Sequence, residues 1–257
     1  MKHLFFFIFY IFIFFSCIPT HAQVNNELTA QDRSALEGII VEKYYIANSK
    51  DCKDTAGGIL PKGFVTYRIY VDLKPGYNLQ AVYGVIQHQL RIETTTEFFN
   101  NKSGGVITGD LINSKKINEN TVALDSWVTI GAATNAHFGI LKSEDKDGSI
   151  ITRTSLDKAD GLIAGKIRPI TYFGNDMSFF QSKNKSSLLS IDNASWAVFG
   201  GVKGPTEDNK ILIAQLTTDG KLSFELNLQI GTPKGASIQY VAKDRNGAEI
   251  QFDGLTY

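Results

Sequence analysis

Histidine, cysteine and closely spaced acids are the residues from which catalytic and metal sites are built, and here they are sparse. The 257-residue chain holds four histidines and two cysteines. His3, His21 and Cys17 fall in an apolar leader, which leaves His88, His137 and Cys52 for the folded part. That set is too small for a cysteine-rich zinc site, and neither an HExxH pair nor a GxSxG elbow occurs. A Ser-His-Asp site would need His88 or His137 with no local motif beside it. Cys52, between Asp51 and Lys53, reads as an incidental thiol with no partner for a disulfide. The sequence therefore assigns no catalytic residue, no cofactor-binding residue and no cofactor.

Among the acids, Glu144, Asp145 and Asp147 before Gly148 form the best metal candidate, because Ca²⁺ takes several oxygen ligands and closely spaced carboxylates supply some. The further spaced acids of an EF-hand are missing, and Lys142 and Lys146 sit beside the run, so a solvated loop tip is the expectation. Glu207-Asp208-Asn209 is a weaker version. Glu93 and Glu97 would share a strand face about 13 Å apart at ~3.3 Å per residue. Glycosidase carboxylates stand roughly 5–9.5 Å apart, so this pair does not fit. Asp125 beside Trp127 suits a hydrogen-bonding role better than contact with a sugar hydroxyl. Residues 161–167, GLIAGKI, fall short of a phosphate loop and lack its closing Ser/Thr. Aromatic rings are the remaining hint: Trp127, Trp196, Tyr44, Tyr45, Tyr67, Tyr70, Tyr83, Phe98 and Phe99 are mostly core in a sheet protein, yet an exposed ring can stack on a sugar. Alternation puts Tyr70 opposite Val65, Tyr67 and Ile69, together with Arg68 and Asp72, as the better surface candidate.

The elements that must position these residues are strands. Residues 36–46 are rich in Ile, Val and Tyr, and residues 64–73 alternate with Val65, Tyr67, Ile69, Val71 and Leu73 on one face. Pro75-Gly76 predicts a hairpin into residues 79–85. Residues 89–99 and 121–130 read as extended, residues 48–63 and 100–120 as loops. Residues 156–164 suggest a short helical turn, and residues 167–173, 196–199 and 236–242 suggest further strands. The most legible stretch is residues 210–231, KILIAQLTTDGKLSFELNLQIG, read as a hairpin about Thr218-Asp219-Gly220. A three-residue loop with Gly220 bulged in the left-handed region sets Leu212 opposite Leu226 and Ala214 opposite Phe224. Leu212, Ala214, Leu216, Leu222, Phe224 and Leu226 then share a face, and Ser223, Glu225, Asn227 and Gln229 are wet. Roughly ten short strands between Gly/Pro/Asn turns predict an all-β fold, an antiparallel β-sandwich of jelly-roll-like form.

Residues 1–22 read as a signal peptide: Lys2 and His3, an apolar run, and Thr20-His21-Ala22 before the cleavage point. The run is shorter than the roughly 20 residues of a membrane span. Lipid attachment at Cys17 is the alternative; either route exports the protein, to the outer cell surface or the extracellular space. Residues 23–35 form a loose lead-in and residues 36–257 one β-sandwich domain. Lys and Arg total 26 and Asp and Glu total 26, interspersed, so no basic face favours nucleic acid or anionic lipid.

The runs VTYRIYVDLKPGYNLQAVYGV, TEFFNN, NTVALDSWVTIGAAT, FGILKSEDKDG and ILIAQLTTDGKLSFELNLQIGTP resemble a domain of uncharacterised secreted proteins from environmental Gram-negative bacteria. The resemblance covers residues 36–257 and implies an extracellular β-rich module, with no catalytic residue to transfer. The expected function is a secreted or cell-surface, non-enzymatic binding or adhesion module whose partner is an extracellular glycan or a surface protein. The alternatives are a polysaccharide-active enzyme using carboxylates from separate strands, and a purely structural surface domain. A concave groove lined by paired carboxylates would favour the enzyme; exposed aromatic rings would favour the binder.

Overall fold

The computed structural model describes residues 28–53, 55–119, 121–145, 162–174, 177–181 and 186–257. The leader, Asp147 and most of the helical turn expected over residues 156–164 lie outside that set. In chain order the strands are β1 (Leu36–Ile46), β2 (Val65–Leu73), β3 (Asn78–Gly84), β4 (Leu90–Thr94), β5 (Trp127–Val128), β6 (Ala132–Thr134), β7 (His137–Gly139) and β8 (Leu162–Ala164). They continue as β9 (Thr171–Phe173), β10 (Leu188–Ile191), β11 (Ala194–Val202), β12 (Lys210–Thr218), β13 (Leu222–Glu225), β14 (Leu228–Gly231), β15 (Ser237–Val241) and β16 (Ile250–Gln251). Four sheets result, ordered β1-β2-β12-β5, β10-β4-β13, β16-β15-β14-β3-β11-β9 and β6-β7-β8. Strand pairing is antiparallel except between β15 and β16.

The fold is all-β, an antiparallel sandwich. Its main core takes Ile69, Val71 and Ile211 from the first sheet, Leu79, Trp196, Leu228 and Ile230 from the six-stranded sheet, and Ile92 and Phe224 from the β10-β4-β13 sheet. Every one is fully or almost fully buried, the condition under which apolar area contributes most to stability. A second apolar cluster lies on the other side of β2 and β12, where Tyr70 and Leu212 meet Tyr44, Ile112, Val122, Trp127 and Leu141. This second cluster overturns the expectation that Tyr70 faces solvent. Its ring is fully buried and its hydroxyl donates to the Ile140 carbonyl at 2.6 Å. Neighbouring Arg68 is buried too, its guanidinium 3.6 Å from the centre of the Tyr44 ring and its Nε donating to Gln215 Oε1 at 3.0 Å. A strand covered on both faces has no wet side, so alternation alone misplaces half its residues.

Two expected hairpins are instead crossings between sheets. Residues 64–85 do bend at Pro75-Gly76, with Gly76 at φ +94°, but β2 and β3 belong to different sheets. The stretch 210–231 divides twice. β12 pairs with β2 and β5, β13 with β4, and β14 with β3 and β15, so Leu212 faces neither Leu226 nor β13. Gly220 lies outside the left-handed region; it is needed because a Cβ there would press on Thr94 Oγ1 and come within 2.8 Å of the Thr96 amide nitrogen. Thr218 Oγ1 holds this crossing, within 2.8 Å of Thr94 Oγ1 and 3.0 Å of Thr96 Oγ1. The second break falls at Asn227, which is buried and not wet. Its Nδ2 donates to the carbonyls of Tyr83 and His88 at 3.2 and 2.9 Å. Residues 121–130, expected as one strand, form a short 3-10 turn over Val122–Leu124 before β5.

Candidate functional site

The six-stranded sheet turns one face to the core and leaves the other open among the described residues. Cross-strand partners share a face, so the pairs Gln239–Gln229, Gln229–Ala81, Ala81–Ala197 and Ala197–Thr171 form one row across β15, β14, β3, β11 and β9. A second row, Tyr83–Ser195–Phe173, runs beside it. In β3, Leu79 and Val82 both enter the core and a register shift lies between them, so Gln80 and Ala81 turn outward together. A bulge that re-aims a side chain in this way is a recurrent feature of binding edges.

β11 carries a larger irregularity. Its pairing with β3 jumps from Ala197–Ala81 to Val202–Leu79, and the chain between bows outward. Gly200 and Gly201 take φ +76° and +71°, the left-handed region in which glycine is favoured. Arg168 Nη1 donates to the Gly201 carbonyl at 2.7 Å, and a Cβ on Gly201 would collide with Asn78 Oδ1. The bow presents Phe199 with 94% of its surface exposed. Phe173, on the edge strand β9, is 60% exposed.

Between these rings the small side chains of Ala81, Ala197 and Ser195 leave two adjoining hollows of about 390 and 410 Å³ that share Ala81, Phe173, Ser195 and Gln229. That is the size range of small-molecule clefts. Gln229 Nε2 and Ser237 Oγ both donate to Gln80 Oε1 at 2.8 Å, which fixes the amide orientations. No Asp, Glu, Lys or Arg is among the described residues lining these two hollows. The arrangement can stack a flat apolar face on phenyl rings and exchange hydrogen bonds through neutral amides. Its hydroxyls are those of Thr171, Ser195 and Tyr83, with no carboxylate or imidazole beside them among the described lining residues.

The residues singled out from the sequence are elsewhere. Asp125 is completely buried and accepts from the Asn101 and Val106 amides at 2.6 and 3.0 Å, stapling the loop over residues 101–106. Burial pushes its carboxyl up to about 8, against the pull of those N–H groups. Glu144 receives Lys210 Nζ at 3.0 Å, and no group of three metal-ligating side chains occurs among the described residues. Asp208 holds the same lysine at 2.9 Å. Glu93 pairs with Arg91 at 3.0 Å, while Glu97 is exposed beyond the end of β4. His88 is buried with its Nε2 2.9 Å from Glu249 Oε2, and His137 Nδ1 lies 3.0 Å from Thr134 Oγ1. Cys52 Sγ donates to the Asn48 carbonyl of its own turn at 3.5 Å. Residues 162–164, within the phosphate-loop near miss, are strand β8. Trp127, Trp196, Tyr44, Tyr70, Tyr83 and Phe98 are buried, and Tyr45, Tyr67 and Phe99 partly so.

Sequence reasoning missed Phe199 and Phe173. The signal for Phe199 was present: Trp196 and Val198 point inward by alternation, so Phe199 points outward, immediately before a Gly-Gly pair that marks a bulge. No family model, curated protein or solved structure matches this chain.

Proposed function

We propose that the protein is an exported, non-enzymatic binding or adhesion module that holds an extracellular glycan in the open groove of its six-stranded sheet. The observation that carries this reading is Phe199, almost wholly exposed on a bow secured by two left-handed glycines and by Arg168. Exposing a phenyl ring to water is unfavourable, and fixing it on a built support makes sense where a partner covers it. Sugar rings have apolar C–H faces for such stacking and hydroxyls for the Gln80, Gln229 and Ser195 groups. The absence of charged groups among the described lining residues favours binding over bond cleavage. The apolar leader supports export, and no helix among the described residues is long and apolar enough to cross a membrane.

The test is a glycan-array screen of the purified exported chain, with product analysis on every hit. The expected result is retention of a glycan without new reducing ends, lost in Phe199→Ala. Bond cleavage would transfer the reading to a polysaccharide-active enzyme. No hit on any glycan would leave a structural surface domain.

A further inference from the structure

We infer that the groove selects a neutral oligosaccharide laid across the strands, in place of a charged polymer or a single sugar. This rests on the glycan reading above and narrows it. Charge is the first argument. The one ionisable group among the described residues lining the two hollows is the Tyr83 phenol, and burial together with the Glu249 charge holds it protonated far above neutral pH. The nearby cation, Arg168, stands at the rim, where its Nη1 donates to the Gly201 carbonyl and its guanidinium lies beside Gly200. A uronate or sulfate seated on the floor between Ala81, Ser195 and Ala197 would shed water with no guanidinium or ammonium among the described lining residues to replace it, a costly transfer. Hydroxyls face no such penalty. With Gln80 Oε1 and Gln229 Nε2 bound to each other, Gln80 Nε2 is left as a donor and Gln229 Oε1 as an acceptor, neither with a partner among the described residues. An amide donor and an amide acceptor can each exchange a hydrogen bond with a sugar hydroxyl.

Length and direction are the second argument. The row Gln239–Gln229–Ala81–Ala197–Thr171 crosses five strands, so it spans about 19 Å at ~4.8 Å per strand spacing. That spacing is close to the advance per sugar in an extended glycan. Successive rings would therefore meet successive strands, with the amides of β14 and β15 at one end and Phe173 on β9 at the other.

Titration calorimetry on the full exported chain, with neutral oligoglucosides and oligomannosides of increasing length beside oligouronates and sulfated oligosaccharides, tests this directly. Binding confined to neutral ligands is expected, with affinity rising to about five sugars and then levelling. It should hold within about twofold between 20 mM and 500 mM salt, because no charge pair is there to screen. Phe199→Ala should weaken it about tenfold, as expected for one lost stacking contact. Its ring is outside the core, so the unfolding midpoint should not move. Preference for uronates or sulfates, or affinity that collapses in salt, would overturn the neutral assignment while leaving a glycan binder. Saturation by a monosaccharide would overturn the extended mode. Failure of both ligand classes would remove the glycan reading itself.

Discussion

Asp125 illustrates how a residue type that invites a functional reading can be wholly committed to structure. Its two carboxyl oxygens take the amides of Asn101 and Val106, and a Cβ on Gly105 would press on the Asn101 carbonyl and sit 3.1 Å from Asp125 Oδ1. Asp125→Ala strands two buried donors and should cost about 3 kcal/mol in urea unfolding. Its titration has a definite sign. The folded carboxyl is raised from 3.8 to about 8, so between those values the folded state binds more protons than the unfolded one. Stability from this group is therefore present at low pH and falls as pH rises from about 4 to 8. Urea midpoints measured across that range should decline in the native protein and flatten in Asp125→Asn, which carries no titrating group; equal slopes would refute the raised carboxyl. Such a role was half legible, since an acid beside Trp127 suggested hydrogen bonding. The groove was not, because Gln80, Ala81, Ala197 and Gln229 are unremarkable residues whose meaning comes only from lying side by side across strands.

Individual strands were legible where one face is wetter than the other, as in β10 and β13, whose burial alternates residue by residue. Their partners were not. Pro75-Gly76 and Asp219-Gly220 both carry hairpin residues, yet each leads into a different sheet, since a tight turn and a sheet-to-sheet crossing use the same conformations. Asn227 shows what separates them. Continuous alternation from Leu222 to Ile230 suggested one strand, but a buried asparagine amide takes over the carbonyls of Tyr83 and His88 and ends one sheet where the next begins. Asn227→Ala should therefore cost about 2 kcal/mol through the two lost amide bonds, even though the His88 carbonyl keeps the Val85 amide at 3.0 Å. Asn227→Asp, of the same shape, sets a carboxylate against those oxygens and should be at least as damaging at neutral pH, recovering partly in acid. Thermal melts at pH 4 and pH 7 measure both. A neutral Asn227→Ala would mean that the crossing is set by the flanking apolar residues alone.

At the scale of the molecule, the sheet β1-β2-β12-β5 is the shared wall of two apolar clusters. One face gives Ile69, Val71 and Ile211 to the main core, and the other gives Tyr70 and Leu212 to the layer that contains Trp127. A strand that loses either neighbour exposes a buried face, so the layers should unfold together. The chain's two tryptophans report on them separately, since Trp196 lies in the main core and Trp127 in the outer layer. Trp196 Nε1 donates to the Thr129 carbonyl at 3.0 Å, whereas Trp127 Nε1 has no hydrogen-bond partner among the described residues. Trp196→Phe should therefore destabilise more than Trp127→Phe, and each variant must be judged against its own circular dichroism. In both, the fluorescence midpoint in urea should coincide with loss of the sheet signal. If Trp127 fluorescence in the Trp196→Phe protein shifts at lower urea than the sheet melts, the outer layer is a separate cooperative unit. Coincidence in both variants would mean that the wall binds core, outer layer and groove-bearing sheet into one folding unit, in which the bow under Phe199 is held as firmly as the core behind it.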